Sequence, residues 1–241
     1  MTEISPPGAS TIPRLRARAS LSWSRFLPAT EAEGPGRRSA VWVQGCSVRC
    51  PGCFNPHLWS ERGGRIDDPA ILAEAWVAES LIAGSEGITL LGGEPFDQAG
   101  AMAVVAAAFQ KAGLTVMTFT GYTLEQLQGW ARERDDLGDL LAATDLLADG
   151  PYLADRPDKR RPWVGSTNQG LHALTPAYRA AVAAVHGSGG QDRLEVRIAR
   201  DGTVAVNGWA DDAALETLLA DLGPRADRSR DTASLNLKET A

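Results

Sequence analysis

Short apolar, β-branched runs alternate along the chain with longer stretches whose apolar residues recur at helical spacing, a pattern that predicts an α/β fold. Leu21, Trp23 and Phe26 mark a loosely alternating strand over 20–26, and Gly34-Pro35-Gly36 reads as a turn. Ala40-Val41-Trp42-Val43-Gln44 is the next strand, ending at Gly45. Asp68 and Pro69 then open a helix through 71–82, because the Asp oxygen can cap free N–H groups and Pro at the first position needs no donor. Residues 87–91 read as a buried strand, 97–110 as a helix stopped by Gly113, and 114–119 as another strand. Thr123 and Gln126 form a capping box for the next helix, and 145–148 is a short strand before Asp149-Gly150-Pro151.

Strands separated by helices pair in parallel through right-handed crossovers, which brings their C-terminal ends to one edge. Each unusual segment follows a strand: the cysteine loop, Gly92-Gly93-Glu94-Pro95, Thr120-Gly121 and Asp149. That edge is where open α/β sheets bind ligands. Past Asp155 the pattern changes. Residues 155–162 are a charged, Pro-containing loop, 193–199 and 203–207 flank Asp201-Gly202 as a hairpin, and 211–222 reads as a short helix. The expected organisation is a flexible leader over 1–17, a single domain over 18–222 with the hairpin and helix at 193–222, and a mobile tail over 223–241.

With 44% hydrophobic and 22% charged residues among 241, the chain has the composition of a folded globular protein. No apolar run approaches the roughly 18 residues that cross a bilayer, and no secretory apolar stretch opens the sequence. A cytoplasmic protein without a membrane partner is the expectation. A net charge of −6 lacks the basic surface of a nucleic-acid binder, although residues 1–40 hold six Arg against three Glu. Three cysteines, Cys46, Cys50 and Cys53, fall inside eight residues. An odd number this close does not suit a disulfide framework; it suits a metal or cluster in a reducing compartment. Thiolates hold zinc and iron–sulfur clusters alike, so the loop leaves two readings open. One is a cubane cluster with one iron left open; the other is structural zinc with His57 as fourth ligand.

The Cys46-x3-Cys50-x2-Cys53 spacing resembles the radical S-adenosylmethionine (SAM) superfamily, and more narrowly the glycyl-radical-enzyme activases of the anaerobic ribonucleotide reductase type. Glu33-Gly34-Pro35-Gly36-Arg37 resembles the activases' Asp-Gly-Pro-Gly-x-Arg segment, read with Glu for Asp and Arg37 one position early. Gln44-Gly45-Cys46, Cys53-Phe54-Asn55, Gly92-Gly93-Glu94-Pro95, Thr120-Gly121-Tyr122-Thr123, Asp149-Gly150 and Gly165-Ser166-Thr167-Asn168-Gln169 match further family segments.

The resemblance implies a partial (βα)6 barrel of parallel strands with the hairpin and short helix appended. It also implies a [4Fe-4S] cluster on the three Cys and SAM as cofactor. Gly52, Phe54, Asn55, Gly92, Gly93, Glu94, Pro95, Thr120 and Asp149 fall where the family contacts that cofactor. The implied partners are a glycyl-radical enzyme subunit and a flavodoxin- or ferredoxin-type electron donor. Gly150-Pro151 stands where some activases follow the Asp with a Lys. A radical enzyme acting on a small molecule or peptide, similar to carboxy-deazaguanine synthase, is the alternative, although Asn55 replaces the Asp-Thr usual after the last Cys there.

Overall fold

The computed structural model describes residues 20–190, 192–198 and 204–208. The chain runs through β1 (Leu21–Thr30), β2 (Arg38–Val43), β3 (Arg65–Asp67), α1 (Pro69–Ile82), β4 (Gly87–Gly92) and α2 (Ala99–Lys111). It continues through β5 (Thr115–Phe119), α3 (Leu124–Trp130), α4 (Asp135–Ala142), β6 (Leu146–Asp149), β7 (Gly170–Ala173) and α5 (Arg179–Ser188). The hairpin β8 (Leu194–Ile198) and β9 (Val204–Gly208) ends the described chain. The leader over 1–17, the helix over 211–222, the tail over 223–241 and the Asp201-Gly202 turn lie outside the described residues. Among the described residues, no helix is long and apolar enough to cross a membrane.

Local signals account for the first half of these elements. Asp68 accepts from the N–H groups of Ala70 and Ile71 at the head of α1, and Thr123 and Gln126 close a reciprocal capping box on α3. The helix expected from Asp97 divides in two, a 3₁₀ turn over Pro95–Gln98 and then α2. β3, α4, β7 and α5 are found beyond the sequence reading. They are short, or too Ala-rich to carry a periodic signal.

The strands form a seven-stranded sheet in the order β3-β1-β2-β4-β5-β6-β7. β2, β4, β5 and β6 pair in parallel; β1 runs antiparallel to β2 and β3, and β7 antiparallel to β6. The expectation of about six parallel strands is therefore corrected to four parallel-paired strands, flanked by antiparallel pairings with β1 and β3 on one side and β7 on the other. The reason lies in the connections: β1 turns directly into β2, and no helix stands between β6 and β7. Parallel neighbours need a crossover, whereas short returns leave the strands antiparallel.

Alternation along each strand gives the sheet two apolar faces. Val41, Ile88, Leu90, Val116 and Leu147 point to α1–α4, where Trp76, Met102, Phe109 and Leu140 complete the main core. Each large side chain buried there contributes about 1.5–3 kcal/mol. Trp42 and Leu91 project from the opposite face with Leu58, and Phe119 packs against them. α1–α4 thus cover one face, while on the other α5 packs through Val185 against Met117 and Leu146 and leaves the ends of β2, β4 and β5 open.

β1 contains a register shift between Trp23 and Arg25. Trp23 meets Trp76 of α1 edge-on, and Phe26 stacks on the same ring. Residues 23 and 26 thus share a face, which a regular strand forbids. The irregularity at Ser24 turns Arg25 to the other face, where its guanidinium lies 4.9 Å over the Trp42 ring.

Candidate functional site

The cysteine loop leaves β2 through Gln44 and Gly45 and is tied down along its length. The buried Gln44 carboxamide donates to the carbonyls of His57, Ser60 and Arg62, so the returning chain folds against the loop's root. Gly45 N–H donates to Leu58 O and Cys46 N–H to Trp59 O. Between the second and third cysteines, Cys53 N–H closes a turn onto Cys50 O, and Gly52 adopts φ +80°, a conformation that favours a residue without Cβ. The main chain of Gly93 and Glu94 docks onto this root, Gly93 N–H on Val43 O and Glu94 N–H on Gly45 O. A Cβ on Gly93 would overlap the Gly45 carbonyl. These glycines let two strand ends touch, which is a different reason from the close approach to a cofactor that the motif suggests.

A cavity of about 790 Å³ opens over this edge. Cys46, Cys50 and Cys53 line it, as do Phe54, Asn55, Gly92, Gly93, Glu94 and Thr120, so the fold gathers these nine sequence candidates at one place. Gly52, Pro95 and Asp149 do not line it. Asp149 turns its carboxylate inward instead, accepting from Leu124 N–H at 2.6 Å, Gly170 N–H at 3.0 Å and the His172 ring at 2.9 Å. It thereby ties the start of α3 to β7. Glu94 is likewise committed: Oε1 accepts from Phe96 N–H and the Thr120 hydroxyl, and Oε2 from Gly121 N–H. Its side chain staples the end of β4 to the end of β5 and leaves its main chain towards the cavity root.

All three thiols are free and partly buried. Burial, and next the Glu94 charge, push the Cys46 thiol up to about 12, while the N–H groups of Arg49 and Val48 pull it down. Burial also raises Cys50, opposed by the Tyr152 N–H. Asn55 N–H lies 3.4 Å from Cys53 Sγ. The donor chemistry fits a cluster: three unpaired sulfurs on one loop, each approached by a main-chain N–H, and thiolates that a metal's positive charge stabilises. His57, the fourth ligand of the zinc reading, lines the same cavity as the three sulfurs.

Residues outside the sequence candidates complete the site. Asp97 receives the Ser47 N–H at 2.7 Å and the Ser47 hydroxyl at 2.8 Å, and Tyr122 OH donates to the same carboxylate at 2.8 Å. This knot clamps the cysteine loop to the turn after β4 and the loop after β5. Its members sit beside motif residues, Ser47 after Cys46 and Asp97 three past Glu94, which is the signal that points to them. The motif arginine is Arg38, not Arg37: with Arg37 as the intervening residue, Arg38 takes the last position of the Gly-Pro-Gly segment and is fully buried. Arg37 is exposed and donates to Ala83 O.

An open α/β sheet with a three-cysteine loop at the end of its first parallel strand defines a cluster-binding class. The chain belongs to the family described as the 4Fe-4S single cluster domain, whose model matches residues 32–172. Within that class it is similar to anaerobic ribonucleoside-triphosphate reductase-activating proteins. It is 29% identical to the one from Vibrio cholerae serotype O1 over 164 residues, 28% to that of Salmonella typhimurium over 163, and 27% to that of Escherichia coli K12 over 161. Each match takes in 64% of this chain and 99% of the relative.

Proposed function

We propose that the protein is a radical SAM enzyme that activates a glycyl-radical partner of the anaerobic ribonucleotide reductase kind. Cys46, Cys50 and Cys53 would hold a [4Fe-4S] cluster. When bound, that cluster would supply the single electron that splits the SAM sulfonium into methionine and a 5′-deoxyadenosyl radical, which would take hydrogen from a partner glycine. A flavodoxin- or ferredoxin-type protein would deliver the electron. The observation that carries the reading is the gathering of three free thiols with Gly92, Gly93 and Thr120 in one cavity of a 4Fe-4S family member.

This chain's own residues bind, orient and exclude water. The Ser47–Asp97–Tyr122 knot holds the cysteine loop to the strand ends, so the sulfurs keep one geometry as charge at the cluster changes. Glu94 fixes Thr120 and Gly121 at the cavity wall. Phe54, packed 5.3 Å from Tyr152, offers an aromatic surface at the rim for the adenine. Trp42, Leu91 and Phe119 floor the cavity with apolar surface, which shields a reactive radical from solvent.

Anaerobic reconstitution with iron and sulfide tests the reading. About four irons per chain are expected, with 5′-deoxyadenosine released under dithionite and a glycyl radical signal when the partner subunit is present. Colourless protein holding one zinc would overturn it. Deoxyadenosine release coupled to a small substrate, with no radical on any protein partner, would move the chain to the small-molecule class.

A further inference from the structure

The hairpin β8–β9 lies beyond residues 32–172, yet it forms part of the cavity wall through Val206, Asn207 and Gly208. It is docked by polar contacts to the segment joining β1 to β2. Gly208 N–H donates to Glu33 Oε1 at 2.8 Å, Glu195 accepts from Glu31 N–H at 2.6 Å, and Arg197 donates to Ala29 O.

Asn207 is 5% exposed, and its Nδ2 donates to Thr30 Oγ1 at 2.8 Å. The orientation of this amide follows from its partner. Thr30 Oγ1 accepts there, as it also does from Ala32 N–H at 3.1 Å. Nδ2 therefore faces Thr30, and Oδ1 is left as a buried acceptor with no partner among the described residues. A buried, unpaired amide oxygen costs about 1–3 kcal/mol, so such a group marks a place where a donor belongs.

Other groups on the same cavity wall supply the complementary half. The irregularity in β1 turns Arg25 onto Trp42, near the carboxylates of Glu33 and Glu195, and the five N–H donors of its guanidinium leave some for a further acceptor. Trp59 Nε1, also on the cavity, is a buried donor without a partner. An acceptor and donors lining one cavity are the complement of a secondary amide, which carries one N–H and one C=O. A polypeptide carries such amides at every residue, and the activase reading supplies a polypeptide as the partner.

The geometry points to a peptide-backbone subsite built by the hairpin and the irregular β1: Asn207 Oδ1 receives a backbone N–H of a partner segment, and Arg25 donates to a neighbouring carbonyl. The assignment deepens the activase reading and rests on it for the identity of the partner.

The test is titration calorimetry on full-length, cluster-loaded protein kept oxidised, so that no turnover is needed. The probes are acetyl-glycyl-glycine amide, the same peptide methylated on both glycine nitrogens, and a blocked heptapeptide with glycine at its centre. Wild type is expected to prefer the N–H peptide by about tenfold, and the heptapeptide is expected to bind more tightly still. Asn207→Ala should erase the preference for the N–H form, and Arg25→Ala, on a different element, should weaken both diglycine probes alike. Circular dichroism melts establish that both variants fold. Equal binding of the two diglycine peptides to wild type, or an unchanged preference in Asn207→Ala, overturns the subsite. Equal affinity for the diglycine and the heptapeptide overturns the polypeptide assignment. A wild type that shows the preference but releases no deoxyadenosine under dithionite sinks the radical reading and leaves the amide subsite standing.

Discussion

Arg38 is fully buried, and its partners are hydroxyls and carbonyls: Thr89 Oγ1, Ile88 O, Pro35 O, Thr115 and, at 2.5 Å, Tyr178 OH. Burial accordingly lowers its pKa, with the Tyr178 interactions opposing. A planar fork reaches acceptors on four elements at once, which an ammonium with three donors does not. Arg38→Lys should lower unfolding stability by about 2 kcal/mol and Arg38→Ala by about 3 kcal/mol or more, read from urea midpoints, because several buried acceptors lose their donor. Glu94 supplies a pH signature at the same scale. Burial first, and Asp97 next, push its carboxyl up to about 8 from an ordinary 4.5. Between those values the folded chain binds the proton more tightly than the unfolded chain does. Its contribution to stability is therefore complete below the ordinary value and is lost as pH rises towards about 8. Urea titrations of cluster-free protein across that window should show the decline, and Glu94→Gln should flatten it; a rise with pH would contradict the assignment.

Among the elements, the junction of β2 with β4 decides whether the cysteine loop has a foundation. A methyl on Gly93 would meet the Gly45 carbonyl, so Gly93→Ala must force the two strand ends apart. The expected result is a loss of about 2 kcal/mol in thermal or urea unfolding together with reduced iron incorporation. Asp97→Ala is a milder lesion. It frees the Ser47 N–H and hydroxyl and the Tyr122 hydroxyl without touching a sulfur. The fold should persist, while the cluster's visible absorption should bleach several-fold faster in air. Tyr122→Phe keeps both Ser47–Asp97 bonds and should bleach at nearly the wild-type rate. Local sequence signals place most of these elements well, because a cap or a capping box is satisfied within three residues of itself, as at Asp68 and Thr123. The roles of Glu94 and Asp149 were not legible in that way. Both stand on strand-end motifs that point to a ligand, yet the N–H groups they satisfy lie 25–27 residues away across the sheet at Gly121 and Leu124.

At the scale of the whole molecule, two bodies of unequal strength meet at the cavity. The sheet and α1–α4 share one continuous apolar core, whereas the hairpin is held at residues 29–33 by hydrogen bonds and the exposed Arg193–Glu31 pair. Polar docking of this kind opens at lower free energy than a packed core. Native-state hydrogen exchange should show β8 and β9 amides exchanging orders of magnitude faster than those of β4 and β5, and faster again at high salt, which screens exposed ion pairs. Protection equal to that of β4 would show a deeper seat than these contacts supply.

The amino-acid sequence by itself determined the chemistry and its address: three thiols on one loop, a turn with two glycines after the next parallel strand, and the order in which strands and helices deliver them. These are short-range properties, set by residue type and by spacing of a few positions. Tertiary structure alone decided which motif carboxylates face inward, which strands run antiparallel at the edges, and that the bulged β1 and the distant hairpin share a cavity with the sulfurs. Those outcomes depend on pairings such as Asn207 with Thr30, 177 residues apart, whose energies exist only once the chain has closed the loop between them.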